Sequence, residues 1–397
     1  MKRVYQSIIE EHFQRNKQML LVSGARQVGK TTVGKAFGED KDFHYLNWDL
    51  QEDRIAILGG QRSVSAIIGS ETAQTILFDE IHKYADWKNF LKGFYDVYRD
   101  LSWKILATGS ARLDTFKKGG DSLLGRYFHL QMFPLSAAEL VSKEFSKTMV
   151  SQPSEIDSEQ WGSLLRFGGF PEPFLKSNQR FHRQWSRTRR DRLFGEDIRT
   201  LGKAFDVSKI ELLAELAVLN ASCLLNYSSF AKIIRASVES IQRWTTLLEQ
   251  LSFCFRLRPW TKNITRSLAK EPKLYLTDWS GISDTGKRNE NFVACSLMKA
   301  VEGWNDTGLG EFGLYYIRTK DKREVDFVLT RDNEPWVLVE VKTSDKSLSP
   351  QLEYFQKLIG AKHAFQVVID LAYKEIDCFS IETPAVVPAR TFLSQLL

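Results

Sequence analysis

Gly24, Gly29, Lys30 and Thr31, in the stretch "SGARQVGKTT", stand at the spacing G-x-x-x-x-G-K-[ST]. Residues of these types at this spacing suit the gripping of a chain of phosphates. Glycines let backbone N–H groups curl around phosphate oxygens without a clashing Cβ. Gly24, Ala25, Arg26, Gln27, Val28 and Gly29 therefore form the expected cradle. Lys30 would reach the β- and γ-phosphates, and Thr31 would ligate Mg²⁺. Thr31 and Thr32 open a stretch that reads as helical, whose first amides would face the same anion.

"TILFDEIHK" supplies a complement: a mostly apolar strand ending in Asp79 and Glu80. Alone, two acids at a strand end are commonly just solvated. About 50 residues after a phosphate loop, Asp79 is the expected Mg²⁺ partner and Glu80 the base that orients water. "KILATGSAR" ends a third strand in Thr108 and Ser110, which could bond the γ-phosphate or that water, or simply begin a loop. The expectation is an enzyme that binds ATP with Mg²⁺ and hydrolyses it.

A second set of chemistry-bearing residues lies near the other end. "REVDFVLTRDNEPWVLVEVKT" reads as two strands joined by a polar turn. Strand alternation puts Val325, Phe327 and Leu329 on one face of the first, opposite Glu324, Asp326 and Val328. On the second, Val337, Val339 and Val341 oppose Leu338, Glu340 and Lys342. An acid followed by E-x-K on the next strand resembles the core of restriction-endonuclease-like nucleases, written PD-(D/E)xK. There Asp326 and Glu340 would hold Mg²⁺ and Lys342 would favour hydroxide. Glu290 matches the additional acid of a preceding helix, and Gln351 is a weaker addition. Outward-facing charges on half-buried strands, or a nuclease fold without activity, are the competing readings.

Basic residues mark a third region. Between Lys176 and Lys203 nine Lys or Arg face three acids, and Arg180, Arg183, Arg187 and Arg190 recur at helical spacing. "NYSSFAKIIRASVESIQRWTTLLEQLSFCFRLRPW" has a helix-turn-helix rhythm, with Phe230, Ile233 and Ile234 as one buried stripe. Ile241, Trp244, Leu247 and Leu248 make another. A following wing would carry Arg256, Arg258, Lys262, Arg266, Lys270 and Lys273. In a winged helix Gln242 and Arg243 would lie near bases and the wing cations near phosphates. DNA is the expected nucleic acid, although winged helices also serve as protein–protein modules.

These residues need a scaffold. Short apolar runs alternate with helical stretches through the first third, implying a parallel sheet covered on both faces. The expected domains are a P-loop core over 1–136, a basic helical lid over 137–204, a winged helix over 205–273 and an α/β nuclease-like domain over 274–397. Apolar residues make up 43% of the chain and charged ones 26%, an ordinary globular balance. No secretion signal is evident and no run approaches the ~18 apolar residues of a spanning helix. Cys223, Cys254, Cys295 and Cys378 are too scattered for a zinc site. A cytoplasmic protein without membrane contact is expected.

"GARQVGKTT", "LFDEIHKYADWKNFLKGFYD", "ATGSAR", "DSLLGRYFHLQMFPLSAAEL" and "GGFPEP" together resemble a prokaryotic AAA+-type ATPase family whose ATPase precedes a C-terminal domain of unknown function. "YLTDWSG", "NENFVACSL" and "REVDFVLT…VLVEVKT" resemble that C-terminal part. The resemblance implies Walker A at Gly24–Thr31, Walker B at Asp79 and Glu80, and a sensor in Thr108–Ser110. It also implies self-assembly, with a neighbour's arginine reaching the γ-phosphate; Arg126 and Arg112 are the candidates. Ala25 stands where the family usually has proline. The expected function is an oligomeric, DNA-associated ATPase with a nuclease-like end. The rival is an ATP-controlled switch whose C-terminal domains bind proteins. A small-molecule kinase fits the "DEIHK" acid pair poorly.

Overall fold

The computed structural model describes residues 1–39, 42–69, 74–101, 103–109, 123–142, 144–145, 148–200, 206–261 and 270–396. The chain forms two compact units, one of Met1–Phe133 with Lys143–Phe145 and one of the remainder.

In the first unit, β1 (Met19–Gly24), β2 (Phe43–Asn47), β3 (Thr75–Asp79), β4 (Lys104–Thr108) and β5 (Tyr127–Met132) form one sheet in the order β2-β3-β4-β1-β5. Every pairing is parallel. That explains why β1 and β3 read as unbroken apolar runs: strands covered on both faces need no polar alternation. On one face Met19, Leu21, Ile76, Phe78 and Ile105 pack against Trp87, Phe90, Leu91 and Phe94 of the helix Trp87–Tyr98. On the other lies the helix Lys30–Gly38, and Gly34 is what lets it close in. A Cβ there would stand 2.8 Å from Leu77 and 3.3 Å from Leu106. Because the strands are parallel, Gly24, Asp79 and Thr108 all end at one edge of the sheet.

The second unit holds two sheets. β6 (Cys223–Leu224), β7 (Cys254–Leu257) and β8 (Lys273–Leu276) run antiparallel in the order β6-β8-β7. Around them lie the helices Val207–Leu219, Tyr227–Ile234 and Val238–Gln250. Asp206, Asn226 and Ser237 cap these helices by accepting from the N–H groups of Lys209, Ser229 and Ser240, the usual use of short polar side chains there. Ile233 departs from the expected stripe. It faces solvent, and Ala231 is buried with Phe230 and Ile234. The expected boundary at 273 also fails, because it falls inside β8.

The other sheet has the order β13-β12-β11-β10-β9, from β9 (Phe312–Arg318), β10 (Glu324–Arg331), β11 (Glu334–Lys342), β12 (His363–Val368) and β13 (Ala385–Pro388). β9, β10 and β11 are antiparallel neighbours, whereas β12 and β13 join in parallel. The β10–β11 turn is Asp332–Asn333, both with positive φ, as tight hairpins prefer. Simple alternation is corrected here, since both faces are covered. Val325 and Val328 share one core with Leu338, Leu352 and Phe355, because the β9–β10 register shifts between them. An inserted residue reverses the facing of all that follow.

Candidate functional site

The loop after β1 is held from several sides. Gly24 has φ 147°, and a Cβ on it would lie 2.3 Å from the Met132 carbonyl oxygen. Gln27 and Gly29 also have positive φ. Arg3 donates to the Val28 carbonyl at 2.7 Å, fixing the cradle from outside. Lys30 Nζ lies over the loop and donates to the carbonyls of Gly24 at 3.0 Å and Ala25 at 2.9 Å. Thr32 is exposed on the first helical turn beside it.

Asp79 is the hub of this edge. Thr31 Oγ1 donates to its two oxygens at 3.1 and 2.9 Å, Tyr45 Oη to one at 2.9 Å, and Thr108 Oγ1 also bonds it. Burial and then the charge of Asp79 push the Tyr45 hydroxyl well above its ordinary range, so it stays a donor. Thr31 and Asp79 thus present hard oxygens side by side, the donor chemistry that Mg²⁺ takes. Glu80 follows in a left-handed conformation, φ 56°, which turns it away from the strand. Its N–H donates to Thr108 Oγ1 at 3.4 Å. Its carboxylate lies 3.3 Å from Lys83 Nζ and 3.8 Å from His82 Nε2, and Lys83 in turn pairs with Asp49 at 2.6 Å. Tyr45, Lys83, Asp49 and Arg3 are missed by sequence reading, since nothing in their spacing announces them.

Arg126 lies at the other end of β5. It pairs with Asp96 through Nε at 2.7 Å and Nη2 at 3.0 Å, and its backbone carbonyl accepts from Met19 at the start of β1. It is about 17 Å along the strands from its own loop. Ser110 and Arg112 lie outside the described residues.

In the second unit the expected acids do meet, but around a lysine. Glu290 is set by its neighbours: Asn291 clamps β8 by exchanging bonds with Leu276 N–H at 2.8 Å and its carbonyl at 2.7 Å. Asn289 donates to Thr343 Oγ1 just past β11 at 3.1 Å. Asp326 accepts from the Val341 N–H at 2.9 Å. The Lys273 ammonium enters from β8, buried, at 2.6 Å from Glu324, 3.1 Å from Glu290 and 3.5 Å from Asp326. Tyr275 donates to Glu290 at 2.7 Å. Lys342 pairs with Glu340 at 2.9 Å. Gln351 lies on the first turn of the next helix.

Burial and the charge of Asp326 raise both the Glu290 and Glu340 carboxyls, against the pull of Lys273 and Lys342. Burial alone would lower the Lys273 ammonium, but the charges of Glu290, Asp326 and Glu324 hold it above the usual range. These residues do not fit a divalent ion as they stand. Among the described residues no group of three or more acids, histidines or cysteines is arranged to hold one. The Lys273 ammonium already occupies the space among Glu324, Glu290 and Asp326.

The basic residues divide. Arg183, Arg187, Gln242, Arg243 and Arg258 are exposed. Arg190 is paired with Glu215. Arg256 is corrected as a solvent-facing wing residue: it bonds Glu249 at 2.8 Å and Tyr227 Oη at 2.7 Å. Lys273 is corrected likewise, being buried among acids. Lys262 and Arg266 lie outside the described residues.

Residues 16–141 match the family model of an AAA domain. With the loop, the acid pair and the parallel sheet, this makes the N-terminal region a P-loop ATPase region of AAA type. Residues 158–283 and 285–389 match two domains of unknown function, DUF8612 and DUF4143. The chain is similar to an uncharacterized protein of Methanocaldococcus jannaschii, 23% identical over 85% of this chain and 78% of that one. Among solved structures it is similar to a Walker-type ATPase of Pyrococcus abyssi, 15% identical with TM-score 0.40 over 70% of this chain and 94% of that one. The RuvB Holliday junction branch migration motor of Thermotoga maritima is 16% identical, with TM-score 0.32, over 67% and 93%. No helix among the described residues is long and apolar enough to cross a membrane.

Proposed function

We propose that the chain binds ATP with Mg²⁺ at the Gly24–Thr32 loop, hydrolyses it, and works as an oligomer on nucleic acid, DNA first. The convergence of Thr31 and Asp79 beside Lys30 carries the ATPase part. Bound there, Mg²⁺ supplies charge neutralisation to the phosphates. Lys30 leaves the Gly24 and Ala25 carbonyls for the β- and γ-oxygens, while the loop amides hold the rest. Glu80 orients and deprotonates the attacking water, and Thr108 would bond the γ-phosphate or that water. A neighbour's Arg126, released from Asp96, would reach that phosphate in an assembly.

The second unit is read as the nucleic-acid end. Its helix, strand, two helices and two strands among the described residues of 207–276 support a winged helix. The following helix, three antiparallel strands, helix and parallel strand support a restriction-endonuclease-like fold. Arg183, Arg187, Gln242, Arg243 and Arg258 are its exposed contacts. Each phosphate contact removed should flatten the salt slope of DNA binding by ~0.9. Cleavage is not part of this reading, because Lys273 stands among the acids that would hold the metal.

The decisive assay is ATP turnover with and without duplex DNA, on wild type and on Arg183→Ala/Arg187→Ala. Stimulation by DNA that weakens in the double variant is expected. Turnover indifferent to every nucleic acid favours the rival switch, in which the unit binds a protein; the pairing of Arg190 and Arg256 with acids speaks for that second reading. A partner retained by Glu80→Gln would then be the finding.

A further inference from the structure

A lysine has three N–H donors and a carboxylate only acceptors. Lys273 Nζ has three carboxylates within salt-bridge distance, Glu324 at 2.6 Å, Glu290 at 3.1 Å and Asp326 at 3.5 Å. They come from the helix Thr285–Asp306 and from β10, whereas the lysine comes from β8, a strand of the other sheet. The second oxygens of Glu324 and Asp326 are also used. Arg318 bonds Glu324 at 2.9 Å, and the Val341 N–H bonds Asp326. Lysines are seldom fully buried unless paired, and Lys273 is 4% exposed.

We propose that Lys273 takes the place of a divalent cation in this acid cluster, making it a closed ion-pair network that ties β8 to the β9–β13 sheet instead of a metal site. The inference goes beyond the ATPase reading and does not depend on it. The lysine is delivered by backbone that is itself stitched to the larger sheet. Trp260 N–H donates to the Tyr316 carbonyl at 2.6 Å, Tyr316 N–H to Arg258 at 3.1 Å, and Tyr316 Oη to the Glu271 carbonyl at 2.6 Å. The ammonium is therefore a fixed part of the fold, where a metal would exchange with solvent. Glu340 Oε2 is buried with no hydrogen-bond partner among the described residues, while its Oε1 is held by Lys342 at 2.9 Å.

The test is the number of Mn²⁺ ions held by the full chain, read by electron paramagnetic resonance. Asp79→Asn is present throughout to silence the nucleotide site. The Asp79→Asn protein should hold no tight Mn²⁺, and adding Lys273→Arg should leave that unchanged. Adding Lys273→Met should create one site, lost again with Asp326→Asn. Tight Mn²⁺ in Asp79→Asn protein that disappears with Asp326→Asn would overturn the proposal. A folded Lys273→Met protein that holds none would also overturn it. If that variant does not fold, the first two proteins still decide.

Discussion

Thr31 Oγ1 lies 2.9 Å from an Asp79 oxygen, across 48 residues of sequence. Tyr45 and Thr108 donate to the same carboxylate, so its orientation is set before any ligand arrives. Charge placed in advance is the main way such sites lower a barrier. Two consequences concern this edge of the sheet.

Lys30→Ala removes the cation that faces the loop carbonyls. Turnover should fall by ~10² or more, with nucleotide affinity falling as well. Fluorescent-nucleotide titration alongside a phosphate-release assay checks both, and unchanged affinity would remove Lys30 from the phosphates.

Tyr45→Phe deletes one of the donors to Asp79 and leaves the ring packed. The expected change is a several-fold rise in the Mg²⁺ concentration needed for half-maximal turnover, with maximal turnover nearly kept. The net worth of one such bond is about 1 kcal/mol. A Mg²⁺ titration in saturating ATP reads it directly.

The first unit's central strands β1, β3 and β4 are legible in sequence because buried parallel strands leave apolar runs, and the loop because its chemistry lies in eight consecutive residues. Tyr45 is not, since its role depends on β2 pairing with β3. Lys273 misleads for a sharper reason. It ends a run of basic residues, which reads as solvated, yet its acid partners Glu290 and Asp326 stand 17 and 53 residues further on. Only the fold brings them together. Arg256 is likewise drawn from solvent by Glu249, and the face of Val328 follows from a register shift that alternation cannot foresee.

Gly24→Ala tests the fold under the loop. Its new Cβ would meet the Met132 carbonyl at 2.3 Å, in a backbone region that favours glycine. Overpacking of this kind costs typically about 1–3 kcal/mol. A lower urea midpoint should accompany lost nucleotide binding; an unshifted midpoint contradicts the close approach of β1 and β5.

His182 gives a pH signature in the second unit. Burial holds its imidazole below the ordinary 6.5, with Asp278 pulling the other way, while Nε2 meets Ser280 Oγ at 2.9 Å. A depressed folded value means stability present above 6.5 and lost as pH falls through the folded value. The stability advantage of wild type over His182→Asn should therefore shrink between about pH 7.5 and about pH 5.5. Urea midpoints at both values measure it, and an advantage that grows on acidification would reverse the assignment.

The central claim is that the loop at Lys30 closes on ATP and Glu80 lets water split it. Phosphate release by purified wild type, with Mg²⁺ and then with chelator, beside Glu80→Gln, tests it most directly. The account predicts turnover that needs Mg²⁺ and falls ~10²–10⁴-fold in Glu80→Gln while that variant still retains ATP. Wild-type protein that neither holds nor turns over ATP in Mg²⁺ would contradict it.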